Sequence, residues 1–275
     1  MKKISAILVL ILSLSILYAC ATGTGTMTAS SHSPVIDRIL KKGELTVGTA
    51  AMMPPLNMTT KDGKIIGLEA DLARYMADSM GVNLKLKAIQ FSKLLPSLES
   101  GQIDMILSGM TMTSMRNLKV AFVGPYYVSG KGVLTNVATL AAVTDPNALD
   151  EQKFKIAALE GSTSAEFVRK IMSKATLVTT KDYDEAVVMV IQGKVDAMVA
   201  DHPICVISVA RYPQHNLFSI VAPFTYEPIG IALPANDPLL ANWVTNFLNK
   251  LEDSGVMDNV RDRWFNDTSW FNKLP

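Results

Sequence analysis

Beyond residue 33 the apolar positions recur in two rhythms that take turns: every second residue, as in a half-buried strand, and every third or fourth, as on one helix face. Residues 44–49 form a short β-leaning run, and Asp62-Gly63 marks a turn between extended segments. Leu68, Leu72, Tyr75, Met76 and Met80 follow at helical spacing, with Gly81 as the stop. Val82, Leu84 and Leu86 then alternate with Asn83, Lys85 and Lys87. The order is β-α-β, which predicts α/β architecture.

The construction recurs. A second helix with Leu94, Leu95 and Leu98 on one side ends near Gly101 and leads into an apolar strand at 103–107. Later, Ala186, Val187, Val190 and Ile191 form a helix that stops at Gly193 before a strand at 195–200. Aligned without a gap, Gly101 falls on Gly193, Asp104 on Asp196 and Gly109 on Asp201. The match predicts two related α/β lobes, although a repeat this short also arises by coincidence. The length of 275 residues agrees, since one domain commonly takes ~100–200. The chain is expected to cross between lobes near 127–132 and 223–228, and the C-terminal helices, with Trp243, Phe247 and Leu251, to return to the first lobe. Residues 34–128 with 228–275 then make one lobe, 129–227 the other, and the crossings a two-stranded hinge.

The N-terminal block reads differently. Lys2 and Lys3 precede an apolar stretch at 4–18, the charge order of a cleaved secretory signal over residues 1–19. The stretch falls short of the ~20 residues that span a bilayer. It ends at Leu17-Tyr18-Ala19-Cys20, which resembles a bacterial lipobox, so Cys20 is the expected lipidation site and the protein is expected outside the cytoplasm, anchored through lipid. An ordinary signal with an incidental cysteine is the alternative. Residues 21–33 are Thr, Gly, Ser and Ala with almost nothing large to bury, so 20–33 reads as a lipidated cysteine and flexible tether.

Composition narrows the partners. Charged residues are 19% and the net charge is +1, which leaves no basic face for nucleic acid. With 49% hydrophobic residues the body of the chain folds. Cys205, among Ile204, Val206 and Ile207, reads as a buried small hydrophobe. The three histidines, His32, His202 and His215, show no metal-ligand spacing, and neither a phosphate loop nor a nucleophile elbow occurs, so no metal, cofactor or catalytic residue is expected.

In open α/β sheets ligands bind beyond the carboxyl ends of the strands, and there the chain places Ser108 to Thr111 in one unit and Asp201 in the other. A desolvated zwitterion needs a fixed partner for each charge. Arg116 offers a guanidinium fork for a carboxylate, close after Gly109 and Thr111; from spacing alone a solvated surface arginine is the commoner outcome. Glu160-Gly161-Ser162-Thr163 precedes an apolar-periodic helix whose first amides favour an anion, unless Ser162 or Thr163 is only an N-cap. Asp201 before His202-Pro203 is equally readable as an ammonium partner or a helix cap.

From about Gly43 to Phe265 the chain resembles the family 3 extracellular solute-binding proteins, the polar amino-acid receptors of ABC transporters. The resemblance is carried by Leu45-Thr46-Val47-Gly48-Thr49, Gly67-Leu68-Glu69-Ala70-Asp71-Leu72, Ser108-Gly109-Met110-Thr111-Met112-Thr113 with Arg116, Pro125-Tyr126-Tyr127, Gly161-Ser162-Thr163, and Asp196 with Asp201. It implies a type II periplasmic-binding fold that closes on a small amino-acid-like ligand, acts as a monomer and presents that ligand to a permease. It further implies that Arg116 holds the carboxylate, with Thr111, the Gly109 backbone, Ser162 and Thr163 adding contacts, and that Asp201 holds the ammonium. Where the family often has an acidic residue, an aromatic, two prolines and another aromatic, this chain has Met52-Met53-Pro54-Pro55-Leu56. Met52, Met53 and Leu56, with Phe91, are therefore expected around the ligand side chain, and Glu69 among the ligand-binding residues. Two other classes share the pattern: a sensor without a permease, and cyclohexadienyl dehydratases, similar in fold, for which Glu69 and Glu160 are the candidate acids or bases.

Overall fold

The computed structural model describes residues 33–275. The expected signal, Cys20 and nearly all of the tether lie outside the described residues. Among the described residues no helix is long and apolar enough to cross a membrane.

The chain forms strands β1 (Glu44–Thr49), β2 (Met52–Met53), β3 (Asn57–Thr59), β4 (Ile65–Ile66), β5 (Asn83–Ala88), β6 (Met105–Ile106), β7 (Val120–Ser129), β8 (Lys131–Thr135), β9 (Lys155–Leu159), β10 (Thr176–Thr180), β11 (Ala197–Asp201), β12 (Phe218–Ser219) and β13 (Glu227–Pro234). They build two five-stranded sheets, in the orders β5-β1-β6-β13-β7 and β10-β9-β11-β8-β12, and a small meander β2-β3-β4. Both large sheets follow one plan: three parallel strands, a fourth that runs antiparallel to them, and a fifth antiparallel to the fourth. Parallel strands need both faces covered. Helices Leu68–Met80 and Phe91–Glu99 flank the first sheet, with Leu68, Leu72, Met76, Leu94 and Leu98 buried at helical spacing. Helices Thr163–Ile171 and Tyr183–Ile191 serve the second, where Ile156, Ala158, Val168 and Val199 share a core. Two α/β lobes in this arrangement make the type II periplasmic-binding fold.

The repeat read from sequence has a structural meaning at each aligned position. Gly101 and Gly193 both take positive φ, 72° and 65°, a conformation that glycine enters without a Cβ penalty, just beyond a helix end. Asp104 accepts the Thr46 amide at 2.8 Å and returns its own amide to the Thr46 carbonyl at 2.8 Å. Asp196 does the same to Lys155, at 2.7 and 2.9 Å. Each aspartate thus fastens the start of the central parallel pair in its own lobe.

Two expectations change. The strand expected at 103–107 pairs over only Met105–Ile106, because the carboxylate of Asp104 takes over an amide that a longer ladder would use. Ser33, expected in the tether, is instead the N-cap of helix Pro34–Lys42: its hydroxyl accepts the Ile36 amide at 3.2 Å and donates to the buried Asp237 at 2.7 Å. Asp237 lies 204 residues away and so gave no local signal.

The chain changes sheets between β7 and β8, and again between β12 and β13. The crossings are tied together: the Lys131 amide donates to Thr225 Oγ1 at 3.0 Å and the Phe224 amide to the Lys131 carbonyl at 2.8 Å, while within the second crossing Thr225 Oγ1 donates to Glu227 at 3.1 Å.

Candidate functional site

The carboxyl ends of β6 and β11 face one cleft, and residues from both lobes meet in it. Arg116 sits in the one-turn helix Ser114–Asn117, whose cap, Thr113, accepts the Arg116 amide at 3.2 Å. The side chain is 9% exposed, which removes the reading of a solvated surface arginine. Its guanidinium donates to the Thr111 carbonyl at 2.8 Å in the first lobe and to the Gly161 carbonyl at 3.1 Å in the second, and lies 5.8 Å from the Phe91 ring centroid. Among the described residues no carboxylate comes within ion-pair distance of it. Burial pulls the Arg116 pKa below its ordinary value, while the fields of Glu166, Asp201 and Glu227 push it back up. The Thr111 and Thr163 hydroxyls, one from each lobe, stand 3.2 Å apart. At the rim Glu160 accepts from Gln90 at 3.2 Å and Ser92 at 3.3 Å.

Asp201 ends β11 and occupies the N-cap position of helix His202–Arg211, yet its side chain makes no capping bond. Instead Oδ1 accepts from the Lys131 ammonium at 2.7 Å. Lys131 is 1% exposed, and Glu227 stands 3.5 Å from the same nitrogen. The Asp201 Oδ2 has no hydrogen-bond partner among the described residues. Its charge is felt around the cleft: burial and then Asp201 push the Tyr127 phenol up to about 12, and the same two causes raise buried Tyr183 well above its ordinary value. Tyr183 opens the helix that packs on β2 across the lobes.

The apolar wall is compact. Met53, Leu56 and Phe91 are buried and Met52 is half-buried. At Gly109, φ is +58° and a Cβ would lie 2.0 Å from Met53 Sδ and 3.6 Å from Leu56 Cδ1, so no other residue fits there without displacing the methionine.

Three expected contacts take other partners. Glu69 is 1% exposed and lies under the Gly109 loop: Oε1 accepts the Gly109 amide at 2.6 Å and the Tyr126 hydroxyl, and Oε2 accepts from Asn57 at 2.6 Å. Burial raises its pKa, and these three hydrogen bonds oppose the rise. Glu69 is a strut under the binding loop, and the Gly109 amide is spent on it. The Ser162 hydroxyl donates to the Leu159 carbonyl at 2.7 Å and accepts the Ala165 amide at 3.1 Å, which is the N-cap alternative. That cap leaves the first-turn amides of Thr163 and Ser164 without a helical partner. Cys205 is buried, and burial pushes its thiol pKa up, as a small hydrophobe requires.

Sequence reasoning missed Lys131, Glu227 and Tyr183. The signal for the first two was a charge in each of the short segments read as crossings, 127–132 and 223–228.

Two mixed-sheet lobes that enclose a cleft with separated opposite charges define a two-lobed binding protein. The chain belongs to the bacterial extracellular solute-binding proteins, family 3, whose pattern matches residues 45–267. It is 28% identical over 228 residues to the L-arginine-binding protein of Pseudomonas aeruginosa, covering 80% of this chain and 86% of that one. It is 24% identical over 229 residues to the cyclohexadienyl dehydratase of the same organism, with 83% and 85% covered. A solved structure from Wolinella succinogenes, described as a binding component of an ABC transporter complexed with lysine, superposes with a TM-score of 0.80 at 36% identity, covering 84% of this chain and 100% of that one.

Proposed function

We propose that this protein is an extracytoplasmic receptor that holds a small neutral amino acid, or a close analogue, between its lobes and presents it to an ABC permease. The observation that carries this is the placement of opposite charges with open hydrogen-bonding positions in one buried cleft: Arg116 with only carbonyl partners, and Asp201 with one oxygen on Lys131 and the other free. A carboxylate on the guanidinium fork and an ammonium on Asp201 Oδ2 would complete both. Thr111, Thr163 and the amides beginning helix Thr163–Ile171 stand beside the carboxylate position.

Met52, Met53, Leu56 and Phe91 present no charge to the ligand side chain, so a cationic side chain buried there would lose its water without gaining a partner. Polarizable, adaptable methionines fit apolar or thioether groups. In a thermal-shift and calorimetric screen of ligand-stripped protein against the amino acids, a neutral apolar amino acid is expected to bind tightest. Preference for arginine or lysine, the ligands named for relatives, would overturn the pocket reading. Conversion of prephenate or arogenate, followed by mass detection, would overturn the receptor reading. Neither Glu69, sealed by three donors, nor Glu160 at the rim is placed as a positioned acid for that chemistry.

The same reading includes a lipid anchor at Cys20. A diacylglycerol supplies the two chains that stable anchoring takes. Cys20→Ser is expected to move the protein from the membrane fraction to the soluble exported fraction. Membrane retention of that variant, with no lipid by mass spectrometry, would remove the anchor.

A further inference from the structure

Lys131 is the most deeply buried cation of the described chain, and the amino-acid reading does not use it. Its ammonium is held by Asp201 at 2.7 Å and Glu227 at 3.5 Å. It sits where the second lobe begins, on the strand that leaves the hinge. The charges of low exposure inside the cleft balance. Arg116 and Lys131 are positive, Asp201 and Glu227 negative, and all four belong to one field, since both carboxylates act on Arg116. Glu69 is separated from the cleft by Gly109 and has its oxygens filled by protein donors. Glu166 acts on Arg116 more strongly than Asp201 or Glu227, but it is exposed and its charge is met by solvent counter-ions, so it is not one of the buried charges in this balance.

Without Lys131 the same cleft would carry one excess negative charge and would suit a ligand of net charge +1. With Lys131 present it is neutral, and the ligand that keeps it neutral is a zwitterion with an uncharged side chain. A second positive charge on the ligand would enter a region of low dielectric in which one buried cation already occupies the available carboxylates. Lys131 leaves Asp201 Oδ2 free, so it limits the number of cations the carboxylates accept without removing the ammonium position.

We infer that Lys131 is a resident counter-cation that sets the net charge of the accepted ligand, favouring an uncharged side chain over a cationic one. The inference rests on the amino-acid reading above and adds a specificity-determining residue that touches neither the apolar wall nor the carboxylate fork. Glu227 is its partner in that balance: removing the Glu227 charge shifts the cleft the opposite way.

The test uses two matched pairs of ligands, norleucine against lysine and glutamine against glutamate, titrated calorimetrically into the ligand-stripped full-length protein. Wild type is expected to bind norleucine at least about tenfold tighter than lysine. Lys131→Met, close in volume, should move the norleucine-to-lysine ratio toward lysine by about tenfold or more, the lower end for one unit charge at an effective dielectric of ~20. Glu227→Gln should move the glutamine-to-glutamate ratio toward glutamate, and the double variant should return both ratios toward wild type. A role of Lys131 in folding alone would change all affinities together and leave the ratios fixed. Should Lys131→Met fail to unfold cooperatively, Glu227→Gln carries the test by itself. Ratios unmoved in variants that still bind norleucine overturn the counter-cation. Wild type that binds none of the four overturns the amino-acid reading on which it rests.

Discussion

Replacing Arg116 by alanine is expected to weaken binding of the preferred amino acid by about thirtyfold to a few thousandfold. Truncating one partner of a buried charge pair costs ~2–5 kcal/mol, because the other charge is left desolvated without a counter-ion, and ~1.4 kcal/mol is a factor of ten. Arg116 suits that estimate because it is nearly sealed, rests over Phe91 and directs its fork between Thr111 and Gly161. Arg116→Lys should recover little, since an ammonium cannot serve two carbonyls and a carboxylate from one plane. Arg211, paired at 2.9 Å with the exposed Asp184, is the control, and its alanine variant should leave affinity within about twofold. Calorimetry on the three variants decides: affinity unchanged in Arg116→Ala means that the carboxylate is held elsewhere.

Asp201→Ala is expected to damage folding as well as binding. It leaves Lys131, 1% exposed, with only the more distant Glu227. Breaking a buried pair from one side typically costs ~3–5 kcal/mol, whereas removing both charges is often neutral. For a chain of this size each kcal/mol lowers Tm by about 2–4 °C, so a fall of roughly 6 °C or more is expected. Combining Asp201→Ala with Lys131→Met should restore most of the stability but none of the amino-acid affinity, because the ammonium acceptor is still missing. Calorimetric binding beside thermal unfolding separates the two losses. Full affinity in the double variant would mean that Asp201 holds Lys131 and nothing else.

How much was legible in the sequence depended on whether a feature is local. The helix Leu68–Met80 announces itself through Leu68, Leu72 and Met76 and closes at Gly81, because helical periodicity and an αL stop are properties of neighbouring residues. The duplicated Gly and Asp positions were readable for the same reason: Asp104 and Asp196 follow their glycines at equal spacing and perform equal bonds. Arg116 and Asp201 were visible as residues at strand ends, but their partners were not. The Gly161 carbonyl lies 45 residues from Arg116, and Lys131 lies 70 from Asp201. Glu69 was misplaced because a carboxylate beside a binding loop looks the same in sequence whether it points at ligand or under the loop. Only the three donors around it decide. Ser162 was open between two uses, and the Ala165 amide selected the cap.

The paired crossings have a mechanical meaning. One strand passing between two bodies would leave the second free to swivel around the chain as well as to tilt. Here the bonds of Lys131 to Phe224 and Thr225, and the pairing of Ser129 with Glu227, hold two strands side by side as a ribbon. A ribbon bends across its thin direction and resists torsion and sideways shear. In the proposed closure, relative displacement of the lobes would thereby be reduced to something near a single angular coordinate. Gly161 and Thr163, on leaving Arg116 and Thr111, would retrace one arc on the way back, so the contacts across the cleft can re-form in register without a search over orientations.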